Sequence, residues 1–378
     1  MRPAPLLLAG FLVLLVSASS SSGGETEAHW AITDLGPGVA VDVNEAGQVV
    51  GGGSWIWRNG KKTQLGTLGG RRSSVVAIND RGQVIGGSET GKPMRGHGFI
   101  WENGKMTDLG TLGGRRSGAR AINNHGQVVG SSTTASGREH AFLWHSGKMR
   151  DLGTLGGPTS IAMAINERGQ VVGSSETRKG SQHAFLWQNG TMRDLGTLGG
   201  DYAAGSGAVD VNEAGQVVGS SYSSTISYGQ CGAGVHAFLW QKGKMRDLGT
   251  LGGKLPTSAA VAINDRGWII GNSPASCSGH PFLWRNGKMV ELRAFPGGHG
   301  GEAIAINERG QVIGGTGTSD VQHAFVWQNG RMADLGLLSP KSWWSSAAAI
   351  NEHDQVVGNS TTARGKGRAV LWTLKGGT

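Results

Sequence analysis

Residues 161–200, IAMAINERGQVVGSSETRKGSQHAFLWQNGTMRDLGTLGG, contain four short runs of β-strand composition separated by turn residues. The runs are residues 161–166, 170–173, 183–187 and 192–195. Gly169 closes the first turn as in a type I hairpin connection, and Asn189-Gly190 is the strongest short hairpin signal. Helical periodicity is absent. The stretch therefore predicts four sequential antiparallel strands.

The pattern recurs along the whole chain, and internal repeats of this length indicate a repeat architecture. The motif AIN-x-x-GQVVG, or a close variant, places its asparagine at Asn44, Asn79, Asn123, Asn166, Asn212, Asn264, Asn307 and Asn351. The motif HAFLW, or a variant, ends at Trp57, Trp101, Trp144, Trp187, Trp240, Trp284, Trp327 and Trp372. The chain thus contains eight units of about 43 residues.

Both faces of the third strand are apolar. Phe185 and Trp187 share one face, and Ala184 and Leu186 share the other. A sheet covered on both faces by copies of itself is a propeller blade. We expect an all-β, eight-bladed β-propeller of four-stranded antiparallel blades, with the small-residue first strand innermost. An open array of β-sheets is the alternative.

The termini favour a closed ring. Residues 32–36, ITDLG, form a strand of the DLG type with no unit before it, and the last unit ends at residues 372–374 without that strand. We therefore predict that the N-terminal strand pairs into the last blade. An open solenoid would instead carry atypical capping ends.

The motif resembles the HAF family of extracellular repeats, named for His183-Ala184-Phe185 and its counterparts. The resemblance covers about residues 30–374, and it implies export and a repeat architecture but no established activity. Two units depart from the pattern: residues 54–57 read SWIW, and residues 290–293 read VELR. We expect distortion in those two blades.

Composition and the chain start agree with an exported repeat protein. The 68 glycines among 378 residues exclude a long helical bundle, and ten prolines without a G-X-Y period exclude collagen. We predict a signal peptide at residues 1–18, a flexible leader at 19–29, one propeller domain at 30–374 and a tail at 375–378. The protein would be secreted or periplasmic without a transmembrane segment; an uncleaved membrane anchor is the alternative.

Polar residues that recur in most units favour a structural role. A histidine recurs in the third strand at His97, His140, His183, His236, His280 and His323. An aspartate recurs in the fourth strand at Asp34, Asp108, Asp151, Asp194, Asp247 and Asp334. Buried polar groups need hydrogen bonds, so we expect histidine to pin strand four and the AIN asparagine to cap its turn. We predict no metal site and no cofactor.

Function is expected at the end of the propeller that carries the variable loops. That end contains the loops between the second and third strands of each unit (the 2–3 loops) and the links from one unit to the next. Binding residues tend to lie on variable loops of this kind. The chain has a formal net charge of +9, and a basic face attracts anions. The candidate binding residues are Arg71, Arg72, Arg115, Arg116, Tyr202, Tyr222, Tyr228, Trp343 and Trp344. The predicted partner is an acidic polysaccharide or envelope surface. Nucleic acid fits the charge but not the compartment.

Alternatives stay open at this stage. The aromatic loops could fold over their own side chains, and the basic surface could be solvated without a partner. Cys231 and Cys277 lie in neighbouring 2–3 loops, so we predict a disulfide between them.

Three function classes compete. We favour a non-catalytic binding scaffold that is monomeric. A polysaccharide lyase or hydrolase is the alternative, although the chain has no H-E-x-x-H, G-x-S-x-G or C-x-x-C motif. His299 and Glu302 are the nearest non-repeating acid–base pair. A structural protein assembled through blade edges is disfavoured, because Arg193 and Arg246 lie on outer strands.

Overall fold

The computed structural model describes residues 29–92, 95–199, 205–223, 234–252, 257–274, 279–293, 295, 300–318 and 321–376. This part of the chain forms eight four-stranded antiparallel sheets and contains no helix. The sheets follow one another around a ring as blades of a β-propeller. The predicted fold is confirmed, and the open-array alternative is wrong.

Blade 1 follows the N-terminal strand β1 directly, and blades 1 to 7 each use four consecutive strands from β2 to β29. Blade 8 uses β30, β31 and β32 together with β1. The first seventeen strands are β1 His29–Pro37, β2 Val39–Val43, β3 Val49–Gly52, β4 Trp55–Arg58, β5 Lys61–Gln64, β6 Gly69–Ile78, β7 Val84–Thr90, β8 Gly96–Glu102, β9 Lys105–Asp108, β10 Gly113–Ile122, β11 Val128–Thr134, β12 Glu139–His145, β13 Lys148–Asp151, β14 Gly156–Ile165, β15 Val171–Thr177, β16 Gln182–Gln188 and β17 Thr191–Asp194.

Blades 5 to 8 contain the remaining strands. These are β18 Ser206–Val211, β19 Val217–Tyr222, β20 Val235–Gln241, β21 Lys244–Asp247, β22 Ala259–Ile263, β23 Ile269–Asn272, β24 Pro281–Arg285, β25 Lys288–Glu291, β26 Gly301–Ile306, β27 Val312–Gly317, β28 Gln322–Gln328, β29 Arg331–Asp334, β30 Ser345–Ile350, β31 Gln355–Thr361 and β32 Gly367–Lys375.

The ring closes through the N-terminal strand, as predicted. Blade 8 has the order β1-β32-β31-β30, so the first strand of the chain is the outer strand of the last blade. β1 and β32 are antiparallel and pair from His29↔Lys375 to Pro37↔Arg368. The Arg368 guanidinium holds the Asp34 carboxylate at 2.7 Å across this pair. The Arg368 hydrogen bond contributes to a lowered pKa of Asp34.

The hydrophobic core is divided among the seams between blades. In the seam between blades 3 and 4, Val129 and Ala141 of one blade meet Ala162, Val171 and Phe185 of the next, and all five are buried. Arginines extend this packing outwards. The guanidinium carbons of three outer-strand arginines lie 5.1–5.3 Å from the ring centroid of a tryptophan in the next blade: Arg150–Trp187, Arg193–Trp240 and Arg246–Trp284. The repeating tryptophans therefore pack blade against blade, in agreement with their sequence interpretation.

The predicted turns form, and glycine is required in them for a conformational reason. Gly169 has φ 71°, and Asn189 and Gly190 have φ 50° and 88°. These are left-handed conformations, which glycine and asparagine tolerate best. Gly173 is required for a different reason, because a Cβ there would lie 2.0 Å from the Ile161 carbonyl oxygen.

A closed circle of asparagine hydrogen bonds joins all eight blades. The Nδ2 group of each AIN asparagine donates to the main-chain oxygen of the AIN asparagine in the next blade at 2.9–3.1 Å, and Asn351 returns to Asn44. The side-chain oxygen also caps its own turn, as Asn79 Oδ1 accepts from Gln83 N at 2.9 Å. The capping prediction is confirmed. The link to the next blade was not predicted.

The recurring histidines pin the two outer strands of their blades, as predicted. His183 Nδ1 lies 2.9 Å from the Asp194 carboxylate, and the equivalent contact forms in five other blades. In blade 6 the partner of His280 is Glu291 at 2.7 Å. Blades 1 and 6, for which distortion was expected, keep four paired strands. Their second and third strands are shorter than elsewhere, since β3 and β4 pair over three residues and β23 and β24 over four, against six for β11 and β12.

Candidate functional site

The two arginine pairs lie on bulges at the start of a strand. They were expected in the links between units, but the structure places them within β6 and β10. In β10, Gly113 pairs with Thr134 and the next paired residue is Ser117 with Ser132, so the intervening residues bulge out of the sheet. A bulge re-aims the side chains it carries. All four arginine side chains are exposed: Arg71, Arg72, Arg115 and Arg116.

Polar groups on the neighbouring strand hold the bulges in place. Thr133 Oγ1 accepts hydrogen bonds from the backbone nitrogens of Arg115 and Arg116, both at 2.9 Å. In blade 2 the Glu89 carboxylate accepts from Arg71 N at 3.1 Å. These three backbone nitrogens are therefore bonded within their own blades, and the guanidinium groups are exposed to solvent.

The bulges and an adjacent loop form two connected grooves at the seam of blades 2 and 3. One groove has a volume of about 870 Å³ and is lined by Arg71, Lys92, Arg95 and Arg116; the other, of about 520 Å³, is lined by Arg95, Arg115 and Arg116. Arg95 and Arg116 belong to both. We call these five residues, Arg71, Lys92, Arg95, Arg115 and Arg116, the basic strip.

The basic strip carries uncompensated charge. Among the described residues, the arginines that form salt bridges are Arg168, Arg309 and Arg368, and none of them belongs to the strip. Among the described residues that line either groove, Glu89 carries the one acidic side chain. Five cations with one nearby carboxylate produce a positive potential, which concentrates anions at the surface.

The aromatic candidates separate in the structure. Tyr222 is 45% exposed on blade 5 and Trp343 is 53% exposed on blade 8. Trp344 is partly buried, and its indole nitrogen donates to Gln322 Oε1 at 3.0 Å, which is a structural role. Other predicted residues lie outside the described part of the chain: Tyr202, Tyr228, Cys231, Cys277 and His299.

The opposite end of the propeller carries a ring of acidic side chains around the axis. In each blade, the side chain that follows the AIN asparagine accepts a hydrogen bond from the equivalent backbone nitrogen of the preceding blade at 2.6–3.1 Å. The acceptors are Glu45, Asp80, Asn124, Glu167, Glu213, Asp265, Glu308 and Glu352. We call this end the turn end and the end with the basic strip the loop end.

Two aspartates of the inner strands join neighbouring blades behind this ring. Asp42 Oδ2 accepts from Ile78 N in the next blade at 2.9 Å, and Asp210 Oδ2 accepts from Ile263 N at the same distance. Burial raises the pKa of Asp42 to about 6 and that of Asp210 to about 6. The two seams lie half a ring apart.

Two parts of the site are absent from the candidate binding residues that the sequence suggested. Lys92 and Arg95 precede the third strand of blade 2, and only the ring geometry places Arg95 beside Arg116 of the next blade. The acidic ring had a visible signal, since an acidic residue follows seven of the eight AIN asparagines.

The described residues contain no group of three or more His, Cys, Asp or Glu side chains placed to hold a metal ion. The same part of the chain has no helix that is long and apolar enough to cross a membrane.

Comparison with solved structures agrees with the fold. Dipeptidyl peptidase 4 of Porphyromonas gingivalis matches with a TM-score of 0.55 at 9% identity, over 89% of this chain and 58% of that chain. The Dos1 propeller matches with a TM-score of 0.52 at 9% identity, over 91% and 94%. A prolyl endopeptidase matches with a TM-score of 0.51 at 11% identity, over 79% and 49%.

These likenesses are too distant in sequence to show more than the propeller fold. This chain spans about half the length of the dipeptidyl peptidase and of the prolyl endopeptidase named above. No family model matches the chain, and no curated protein matches it.

Proposed function

We propose that this chain is an exported HAF-type repeat protein whose loop end binds an acidic polysaccharide or another anionic component of the cell envelope without catalysis. The basic strip is the observation that carries the proposal. It places Arg71, Arg95, Arg115 and Arg116 along one seam, exposed and without salt-bridge partners among the described residues. Guanidinium groups bind carboxylate, sulfate and phosphate oxygens with paired hydrogen bonds.

The form of the strip favours an extended polyanion over a small anion. The cations are spread across two connected grooves in two blades and do not converge on one enclosed pocket. A polymer with repeated negative charges can contact several of them at once, which increases affinity through linked weak contacts. The Glu89 carboxylate within the strip can accept hydroxyl hydrogen bonds, which a polysaccharide offers.

The test is binding of purified protein to polygalacturonate, dextran sulfate and phosphatidylglycerol vesicles at low and high salt. We expect binding that weakens with salt, because screening acts within about 10 Å at 0.1 M ionic strength. The Arg71/Arg95/Arg115/Arg116→Ala variant should lose affinity about tenfold to hundredfold, since each exposed charge pair contributes about 0.2–1 kcal/mol.

The matched control removes the same charge from the turn end: Lys105/Lys148/Lys242/Lys244→Ala, all exposed. Equal losses in the two variants would mean that net charge alone drives binding, and would contradict a site at the loop end. Preference among the three probes would identify carboxylate, sulfate or lipid phosphate as the recognised group. Shortening of polygalacturonate during incubation would instead support the lyase or hydrolase alternative.

A further inference from the structure

The first strand of each blade borders a channel along the propeller axis. These eight strands form the innermost ring of the molecule, because each one contacts the first strand of the next blade, from β2 round to β30 and back to β2. Propeller blades are arranged around such a central channel. We call the space that the eight first strands enclose the axial channel. A side chain that faces it can contact a ligand without entering a seam between blades.

Arg120 faces the axial channel. It is the unpaired residue of a second bulge in β10, between Ala119, which pairs with Gly130, and Ala121, which pairs with Val129. Ala119 packs into the seam with blade 2, and Ala121 packs into the seam with blade 4. Arg120 lies between these two residues and is exposed, so its side chain occupies neither seam. A bulge re-aims the side chain that it carries, and here the remaining open side is the axis.

Arg120 is the one charged residue at its level of the channel. The same bulge recurs in every blade, three residues before the AIN asparagine, and none of the residues at this position is buried. Val76 of the neighbouring blade 2 is 37% exposed. The seven residues equivalent to Arg120 are all apolar: Val41, Val76, Met163, Val209, Val261, Ile304 and Ala348. We call these seven residues the apolar ring.

No carboxylate of the described residues neutralises Arg120. The arginines that form salt bridges in this part of the chain are Arg168, Arg309 and Arg368. On the loop-end side of Arg120, a Cβ built at Gly118 would meet no atom within 4 Å, so β10 leaves open space there. The carboxylates of the turn end accept backbone hydrogen bonds from neighbouring blades. A guanidinium without a partner is thus surrounded by apolar side chains that water can reach.

We propose that the axial channel binds a single-chain anionic amphiphile, with its carboxylate or phosphate on Arg120 and its alkyl chain against the apolar ring. Guanidinium binds either head group with paired hydrogen bonds, and burial of the chain removes apolar surface from water. A polysaccharide fits this level of the channel less well, because the apolar ring accepts no hydrogen bonds from its hydroxyls. The proposal does not depend on polyanion binding at the basic strip.

The test is calorimetric titration of the full chain with decanoate, decyl phosphate and decyltrimethylammonium, each below the concentration at which it forms micelles. We expect the better of the two anions to bind at least about tenfold more tightly than the ammonium, because only the anions pair with Arg120. The tighter anion identifies the preferred head group. Shortening decanoate to octanoate should weaken binding by up to about fourfold for each methylene removed from the apolar ring.

The deciding variant is Arg120→Val, which gives blade 3 the residue that blade 2 carries at the same bulge and should therefore fold as wild type does. Its affinity for the preferred anion should fall about tenfold, while its affinity for the ammonium should not fall. The matched control is Arg116→Ala, which removes the same charge from the basic strip and should change amphiphile affinity by less than about twofold.

Three results would overturn the proposal. The ammonium could bind as tightly as both anions, Arg120→Val could bind the preferred anion as wild type does, or Arg116→Ala could lose as much affinity as Arg120→Val. Binding of polygalacturonate should be retained in Arg120→Val, so this site and the basic strip can fail independently.

Discussion

The two ends of this propeller are built from the same eight repeats but use their polar side chains in opposite ways. At the turn end, the AIN asparagines and the residues after them bond to the next blade all round the ring. At the loop end, the side chains of the arginines in the basic strip are exposed and form no hydrogen bond or salt bridge with the described residues. The comparison teaches that repetition identifies the residues that hold the ring, and departure from repetition identifies candidates for binding.

Among the changes proposed here, removing one asparagine of the circle should lower the free energy of unfolding most. Asn79→Ala removes the bonds to Gln83 N, Gln83 Oε1 and the Asn123 carbonyl. The Asn123 carbonyl keeps its bond from Gly126 N, but the buried backbone N–H of Gln83 loses the acceptor that Asn79 Oδ1 supplied. We expect a loss of about 2–4 kcal/mol in the free energy of unfolding. Denaturant titration measures it, with Arg71→Ala at the loop end as the control that should stay within about 0.5 kcal/mol of wild type. Equal stabilities of the two variants would mean that the circle contributes nothing.

The aspartates of the turn end should make stability depend on pH in an unusual direction. The pKa of Asp42 and that of Asp210 are about 6 in the folded chain against an ordinary 3.8. The folded state therefore binds more protons between those values, so these two groups lower stability as pH rises from about 4 to 6.

The matched variant is Asp42→Ala/Asp210→Ala, because the other six blades have alanine at this position. From pH 4 to 7, wild type should lose about 4–5 kcal/mol in the free energy of unfolding relative to the variant, about 2 kcal/mol from each carboxyl. Chemical denaturation at several pH values measures the difference. Parallel pH profiles would show that these carboxyls titrate normally.

Adding an arginine pair to blade 4 should extend the basic strip and increase the affinity for a polyanion. Blade 4 has the same bulge, with Gly156 paired to Thr177 and Ser160 to Ser175, but carries Pro158 and Thr159 where blades 2 and 3 carry arginine. In Pro158→Arg/Thr159→Arg, Glu176 is placed to accept the new backbone hydrogen, as Glu89 does in blade 2. Affinity for polygalacturonate should rise about threefold to tenfold. Unchanged affinity would mean that the polymer does not extend to blade 4.

Removing one histidine–carboxylate contact should change the free energy of unfolding least. His183 and Asp194 are partly exposed, and the same contact recurs in other blades. His183→Gln should cost less than about 1 kcal/mol in the free energy of unfolding, measured by denaturant titration, and leave polyanion binding intact. A loss as large as that of Asn79→Ala would place the main stabilisation at the outer strands instead.

Much of this fold could be predicted from the sequence because each repeated residue has one local structural role. Asn189-Gly190 sets a hairpin, and the unpaired ITDLG strand near the start predicts closure with the last unit. Contacts between units were harder to foresee. Spacing shows that Asn79 and Asn123 are equivalent, but only the curvature of the ring brings the Asn79 amide to the Asn123 carbonyl.

The candidate site was predicted less completely, because it too depends on how strands and blades are placed and not on local sequence patterns. Arg115 and Arg116 were recognised as a charged pair, yet their position within β10 depends on a bulge that has no signature in composition. Trp343 and Trp344 are adjacent and were treated alike. Successive residues of an extended chain point to opposite sides, and the structure leaves one exposed and uses the other as a donor.

The most direct test of this division of labour is the thermal shift that polygalacturonate produces in wild type and in the Arg71/Arg95/Arg115/Arg116→Ala variant. A ligand that binds only the folded state raises the melting temperature with its concentration. The two proteins should melt at the same temperature without polymer, and only wild type should be stabilised by it. Equal stabilisation of both proteins would contradict a binding site at the basic strip.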